Sequence, residues 1–174
     1  LTTNEVAGAV HVYPGATLTH TCHSTAATTP TYALNLAAGG DITIDEGAII
    51  DVSAKGYYWK KGPGWWPNAS TANNAASYGG VGANYGINTY NKNYASKAKC
   101  YGSIRRPTDP GTGGGYNSSY NYGGGVVHLV ATNGTLALNG EIACDGCRAS
   151  YSTPSGGSVW IECGTLSGAG SVHV

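Results

Sequence analysis

The sequence predicts an all-β protein in which short strands stack in parallel as a solenoid. Three stretches, residues 34–56, 127–147 and 159–174, share one pattern: a short alternating apolar run, a Gly or Asn turn, and a second short run. Alternation with period two is typical of half-buried strands, and Gly and Asn are typical of tight turns. A unit this small cannot bury its apolar face alone, so it needs a copy of itself stacked against it.

The strand signals follow one another along the chain. Residues 5–22 contain two alternating runs around the turn at 13–15. A polar segment, residues 24–31, reads either as an ordinary loop or as an O-glycosylated patch. Strand runs then occupy residues 32–54 and resume over 123–174. No window has apolar residues at helical spacing together with capping residues, which is a further reason to predict an all-β class.

A long insertion rich in Gly, Tyr and Trp, residues 56–125, separates the two strand-rich parts. A loop of this length inside a compact domain is normally functional or disordered. Its aromatic side chains can cover a large apolar area, which favours an ordered excursion packed on one flank of the solenoid. We therefore predict a single domain over residues 1–174. The Trp65-Trp66 pair either covers that flank or stacks on a sugar.

Composition and charge exclude several kinds of partner. Only 10% of the 174 residues are charged, against roughly 25% in an average soluble domain. The nine basic and nine acidic side chains cancel, so we expect neither nucleic acid nor an anionic membrane surface as a partner. No run approaches the ~18 apolar residues of a membrane span, so no membrane insertion is expected. The glycine runs lack the Lys-Ser/Thr ending of a phosphate loop, and no cofactor is predicted.

Three Asn-x-Ser/Thr sites indicate a glycoprotein. They lie at Asn68, Asn117 and Asn133, and each is an acceptor pattern for N-linked glycans in a secreted protein. The chain does not begin with Met, and we expect it to start after a cleavage or to be part of something longer. These features predict an extracellular or cell-surface location with covalently attached glycans.

The five cysteines are predicted to form structural disulfides rather than a metal site. Equivalent residues of neighbouring parallel strands lie about 4.8 Å apart, within the Cα separation of about 4.4–6.8 Å that a disulfide accepts. Cys144 and Cys163 follow similar Ile-x-Cys runs, so they are the leading pair, with Cys147–Cys163 as an alternative and Cys22–Cys100 as a weaker second pair. One thiol is left over, and Cys147 is the candidate for a bond to another subunit.

The glycine-based motifs resemble a known kind of repeat. The matching residues span about three-quarters of the chain and include 47–56, 111–115, 123–125 and 155–170. They are similar to the glycine-rich right-handed parallel β-helix repeats of large secreted surface proteins, and to the mastigoneme-like, sexually induced type of flagellar-hair protein. The resemblance implies a right-handed β-helix and brings no catalytic residue with it.

Two side-chain groups could carry chemistry. The carboxylates Asp41, Asp45, Glu46 and Asp51 could bind calcium or act as in a polysaccharide lyase. They also flank Gly turns, where Asp side chains cap the backbone, and this structural interpretation is favoured. His20 and His23 could hold a metal, but a single pair without further ligands is a weak signal.

The functional prediction is a non-enzymatic structural protein. Strand-like alternation begins near residue 6 and still runs at 172–174. Solenoids normally carry polar capping elements on their end units, because these units otherwise present unpaired backbone groups. We therefore expect head-to-tail addition into a homopolymeric filament or a cell-surface coat. The competing class is a carbohydrate-binding or polysaccharide-lyase-like parallel β-helix.

Overall fold

The computed structural model describes residues 2–65, 76–80, 82, 99–115, 121–148 and 153–174. The described residues form strands and connecting segments and include no helix, which confirms the predicted all-β class. None of them therefore belongs to a helix that could cross a bilayer. The ten strands are β1 (Asn4–Val6), β2 (Val10–Val12), β3 (Thr17–Leu18), β4 (Leu34–Ala38), β5 (Ile42–Ile44), β6 (Ile49–Asp51), β7 (Val126–Leu138), β8 (Glu141–Ala143), β9 (Ser158–Ser167) and β10 (Ser171–His173).

Consecutive strands group into four units that pair in chain order. We define unit 1 as β1–β3, unit 2 as β4–β6, unit 3 as β7–β8 and unit 4 as β9–β10. Every strand pairing is parallel and joins one unit to the next, in two curled sheets of six and four strands. The long β7 pairs through its first half with β4 and through its second half with β5, so it turns the corner between two sides.

The register repeats along the stack. Asn4 lies opposite Leu36, and Leu129 lies opposite Ile161, a step of 32 residues in both cases. Leu36 lies opposite Leu129, and the larger step here accommodates the 56–125 insertion between units 2 and 3. Equivalent side chains therefore fall into columns that run from unit 1 to unit 4.

The core lies inside units 2 and 3. In the column Leu18, Ile50, Ile142 and Val172, the two middle residues have no exposed surface, whereas Val172 is 46% exposed. The same holds for Ile42 and Leu136, which are fully buried next to a Leu166 that is 61% exposed. The inner side chains of these columns are thus covered by the units on either side, and exposure rises in them where a neighbouring unit is missing, although Val12 of unit 1 remains buried.

The described parts of the insertion meet the stack in a bundle of glycine-rich segments. We define the glycine bundle as residues 56–58, 111–114, 121–125 and 155–157. Its backbone groups bond to several segments at once: the N–H of Gly56 donates to the carbonyl of Gly123 (2.7 Å), that of Gly111 to Gly124 (2.8 Å), and that of Gly124 to Ser155 (3.0 Å).

Close backbone approach explains why glycine occupies these positions. A Cβ on Gly124 would lie 1.7 Å from the carbonyl oxygen of Cys144, and one on Gly157 would lie 1.9 Å from that of Gly125. No side chain larger than hydrogen fits between segments this close. The glycine runs therefore pack the insertion against the stack, with no phosphate loop involved.

Candidate functional site

The two end units expose what the inner units bury. Among the residues that the structure describes, β9 and β10 of unit 4 pair on one side only, and so do β1, β2 and β3 of unit 1. Val159, Ile161 and Cys163 pack against the core but remain partly exposed, and Leu166 is 61% exposed. At the other end Val6 is 38% exposed. Each end therefore combines open backbone hydrogen-bonding groups with uncovered apolar side chains, which is a template for a further strand layer.

A histidine–carboxylate pair ties each end unit to its inner neighbour. Nε2 of His128 in unit 3 lies 2.8 Å from Oε1 of Glu162 in unit 4, and the indole of Trp160 stacks on the His128 ring at 4.1 Å. At the opposite end, Nε2 of His11 lies 2.8 Å from Oδ2 of Asp45, with a further aromatic ring, that of Tyr13, stacked on His11 at 4.0 Å. These pairs hold the side chains on the outside of the end units in place, although apolar side chains of the same units are partly exposed.

Cys144 and Cys163 do not lie at equivalent positions of successive units. All five are free thiols in the structure. Cys163 lies opposite Ala131 in the six-stranded sheet, whereas Cys144 directly follows β8 in the four-stranded sheet. The predicted equivalence of the two Ile-x-Cys runs is therefore wrong, because the runs form different sides of the stack. Cys22 and Cys147 are half-buried and Cys100 is exposed, and the Cys22–Cys100 bond and the intersubunit role of Cys147 stay predictions.

Burial makes Cys144 a poor nucleophile. Its side chain has no exposed surface, and its Sγ lies 3.7 Å from the carbonyl oxygen of Ser158. Burial, and to a smaller extent the charges of Asp145 and Asp51, raises the pKa of this thiol to about 12. The thiolate that attacks disulfides or binds metals is thus strongly disfavoured, and Cys144 acts as a small core residue.

The predicted glycosylation sites are described only in part. Asn133 is exposed and lies in β7 at the register shift between Ala131 and Thr135, so its side chain is on the surface at a corner of the stack. Asn68 and Asn117 lie outside the described residues. Trp65 is half-buried, and its neighbour Trp66 also lies outside them.

Two of the four predicted carboxylates, Asp41 and Asp51, bond to the backbone. Oδ1 of Asp41 accepts a hydrogen bond from the N–H of Thr135 in unit 3 (2.7 Å). Oδ1 of Asp51 accepts from the N–H of Ser53 two residues on (2.9 Å), as Asp does in turns. These contacts support the structural interpretation of the acidic residues over the calcium or lyase interpretation.

The two histidines of the possible metal pair are used by the backbone as well. Nδ1 of His20 lies 2.8 Å from the carbonyl oxygen of Thr21. In His23, Nε2 accepts the N–H of Thr31 (2.9 Å), so Nδ1 carries the proton and donates to the carbonyl of Lys55 (2.8 Å). Within the described ranges, no three His, Cys, Asp or Glu side chains come close enough together to hold a metal ion.

The bonds of His23 predict how stability depends on pH. The ring is buried, and its burial lowers its pKa below 6.5, although the bond to Lys55 opposes the shift. The unfolded chain therefore binds a proton on this side chain before the folded one does, so the free energy of unfolding should fall as pH drops below about 6.5. Denaturation of the protein at pH 7 and at pH 5 measures this decrease in the free energy of unfolding. His23→Gln should make the decrease smaller, whereas His173→Gln, at an exposed position, should leave it unchanged. Equal losses in both variants would contradict this assignment.

A half-buried group of hydroxyls, missed in the sequence, fastens the insertion to unit 4. The hydroxyl of Tyr78 bonds to that of Ser158, which donates to the carbonyl of Asp109 (2.6 Å). The hydroxyl of Tyr101 donates to the carbonyl of Pro110 (2.6 Å), and burial raises the pKa of Tyr101. These hydroxyls stay protonated and bond to carbonyl groups and to one another, so they hold the insertion in place and make poor proton carriers.

Charge is strongly segregated along the chain, which the neutral total conceals. The insertion, residues 56–125, has seven basic residues and one acidic residue, a net of +6. The remainder has two basic and eight acidic residues, a net of −6. Among the described residues the ion pairs within 4.0 Å are the two histidine pairs, and neither involves Lys or Arg. Counting the charged residues of the insertion and of the remaining chain separately would have revealed this segregation from the sequence alone.

Comparison with known proteins gives no match. No family model, no curated protein and no solved structure matches the chain. The uncovered ends and the charge distribution are therefore the features from which a function can be proposed.

Proposed function

We propose that this chain is a non-enzymatic structural module of an extracellular filament or cell-surface coat, and that it joins a second copy head to tail. The observation that carries the proposal is that an apolar column, Leu18–Ile50–Ile142–Val172, runs through all four units, and that several apolar side chains of both end units are left partly exposed by the described residues. A copy seated on unit 4 would bury these side chains and pair the open strand edges at the same time.

The repeated register supports a β-solenoid. Each side of the stack pairs units in the order 1, 2, 3, 4, always in parallel. Parallel strands of one sheet joined by crossover connections are right-handed in about 98% of cases, which supports a right-handed coil. Such a solenoid has two different ends, and contacts between different surfaces generate open filaments when the rotation does not close.

The outer surface fits this role. The exposed Asn133 lies in the inner unit 3, on the outside of the stack and not on the end face of unit 4, so it is available to a glycan. The proposed partners are thus further copies of the same chain, with glycans as covalent decoration.

Sedimentation of the purified chain over a range of concentrations tests the proposal. The wild type should form assemblies that grow with concentration, seen as fibres by negative-stain microscopy. Leu166→Asp should raise the concentration needed for assembly about tenfold or more, because the junction would bury a carboxylate without a partner. Leu166 is 61% exposed, so the fold itself should be unaffected.

A matched control is Ile104→Asp. This side chain is 99% exposed and lies in the insertion, outside the paired strands of the stack. It should leave assembly unchanged, and an equal effect of both variants would contradict the assignment of the ends.

The charge segregation supports a second candidate, binding of an acidic polysaccharide by the insertion. Residues 102–106 form an exposed turn in which the Ser103 hydroxyl accepts the N–H groups of Arg105 (3.2 Å) and Arg106 (3.1 Å). A chain that stays monomeric at every concentration and is retained by an immobilised acidic polysaccharide would overturn the filament and favour this function.

A further inference from the structure

We propose that the incoming copy continues the register of the four units, so that Glu5 of one copy lies against Glu162 of the next and this carboxylate pair sets the strength of the junction. The inference rests on the proposed head-to-tail assembly and adds the register and the controlling residues.

The pair follows from one column of the outer face. Glu5 lies opposite Ala37, Ala37 opposite Val130, and Val130 opposite Glu162. The two ends of this column are therefore glutamates, and the two inner positions are apolar. If unit 1 of the incoming copy pairs with unit 4 in the register seen between successive units, its Glu5 lies opposite Glu162 at the strand spacing of about 4.8 Å. Like charges directly opposite each other on neighbouring strands are destabilising.

The apolar columns agree with the same register. Val6 lies opposite Ala38, and Ala131 lies opposite Cys163. Extending the β4–β7 register by one residue beyond Ala37 and Val130 joins these two pairs into one column, so an incoming Val6 would cover the Cys163 side chain. Cys163 packs against the core and is only partly buried in the single chain. In two further columns Leu166 would receive Val10, and Val172 would receive Leu18. In the column of Leu36 and Leu129, Ile161 would receive the polar Asn4. Glu5–Glu162 is the one like-charge pair that this register creates among the paired strand positions.

Both glutamates are available for this contact. Glu5 is exposed. Glu162 is held at one oxygen by Nε2 of His128 (2.8 Å), and its side chain remains 46% exposed. Repulsion between exposed charges is screened by salt, so added salt should strengthen the junction.

Charge reversal tests the pair on the full chain. Glu5→Lys should lower the concentration needed for assembly about tenfold at low salt, since a like-charge pair becomes an opposite-charge pair. The double variant Glu5→Lys/Glu162→Lys should return towards the wild-type value, because the charges are alike again. The control Glu46→Lys makes the same charge change at an exposed position of unit 2 and should have no comparable effect.

A cysteine introduced at position 6 tests the register by a covalent readout. Under mild oxidation, Val6→Cys should give a ladder of linked chains in which the joined peptides contain position 6 and Cys163, since the strand spacing fits a disulfide. Glu5→Cys places its thiol on the opposite face of the strand and should give no link to Cys163.

The outcomes separate the two proposals. If no variant assembles at any concentration, the head-to-tail function is overturned and the register falls with it. If the chain assembles but Glu5→Lys and the double variant behave alike, or position 6 links to a residue other than Cys163, the register is wrong while the assembly stands.

Discussion

Replacing Gly124 by alanine is expected to lower the free energy of unfolding by about 3–4 kcal/mol, near the upper end of single-residue effects. The added Cβ would lie 1.7 Å from the carbonyl oxygen of Cys144 and 2.4 Å from the backbone N of Gly157. Both are main-chain atoms that are themselves hydrogen-bonded to each other at 2.8 Å. No flexible side chain can move aside, so the bundle must separate. Thermal and urea denaturation followed by circular dichroism measure the loss.

Gly79→Ala is the matched control for this variant. It lies in the same insertion, but a Cβ there would have no atom within 4 Å. Its stability should stay within about 0.5 kcal/mol of the wild type, as for most surface substitutions. If both variants unfold at the same urea concentration, the glycine bundle does not hold the insertion to the stack.

Truncation of Ile142 to alanine should cost about 3 kcal/mol of stability, within the usual range for a buried isoleucine. Ile142 is fully buried between Ile50 of unit 2 and Val172 of unit 4. Removing its side chain would therefore leave a cavity that is enclosed by a residue on each side. Val172 belongs to the same column but is 46% exposed, and Val172→Ala should cost less than about 1 kcal/mol. Urea denaturation of both variants, below the concentration of assembly, measures the difference.

The contrast between these two variants tests the stacked core. Equal destabilisation would mean that Val172 is as well covered as Ile142, and the end of the stack would not be open. A small effect of Val172→Ala on the single chain, with a large effect on assembly, is the result that the proposed junction requires.

The strand runs were predictable because alternation is a local property. Ile42–Ile44 and Ile49–Asp51 were expected as strands from spacing and turn residues alone, and the structure has them there. The need for a stacked neighbour also followed from the sequence, since units this short cannot cover themselves. The glycine runs were visible in the sequence, but the segments that they approach were not.

The cysteine pairing and the charge distribution show where local reasoning failed. The runs Ile-Ala-Cys144 and Ile-Glu-Cys163 look alike in the sequence, yet the first lies at β8 of the four-stranded sheet and the second lies in β9 of the six-stranded sheet. The opposite charges of the insertion and of the strand units were visible in the sequence but vanished in the whole-chain sum.

Residue pattern was thus sufficient for the all-β class, for the places of most strands and for the demand that units stack. The partner of each strand, the tie between Asp41 and Thr135, and the burial of His23 and Cys144 came from the folded chain. The physical reason is that an alternating run of a given length can form any side of the stack. Its side is chosen by contacts with residues some 30 to 90 positions away, such as Leu36 with Leu129, and no local pattern encodes these contacts.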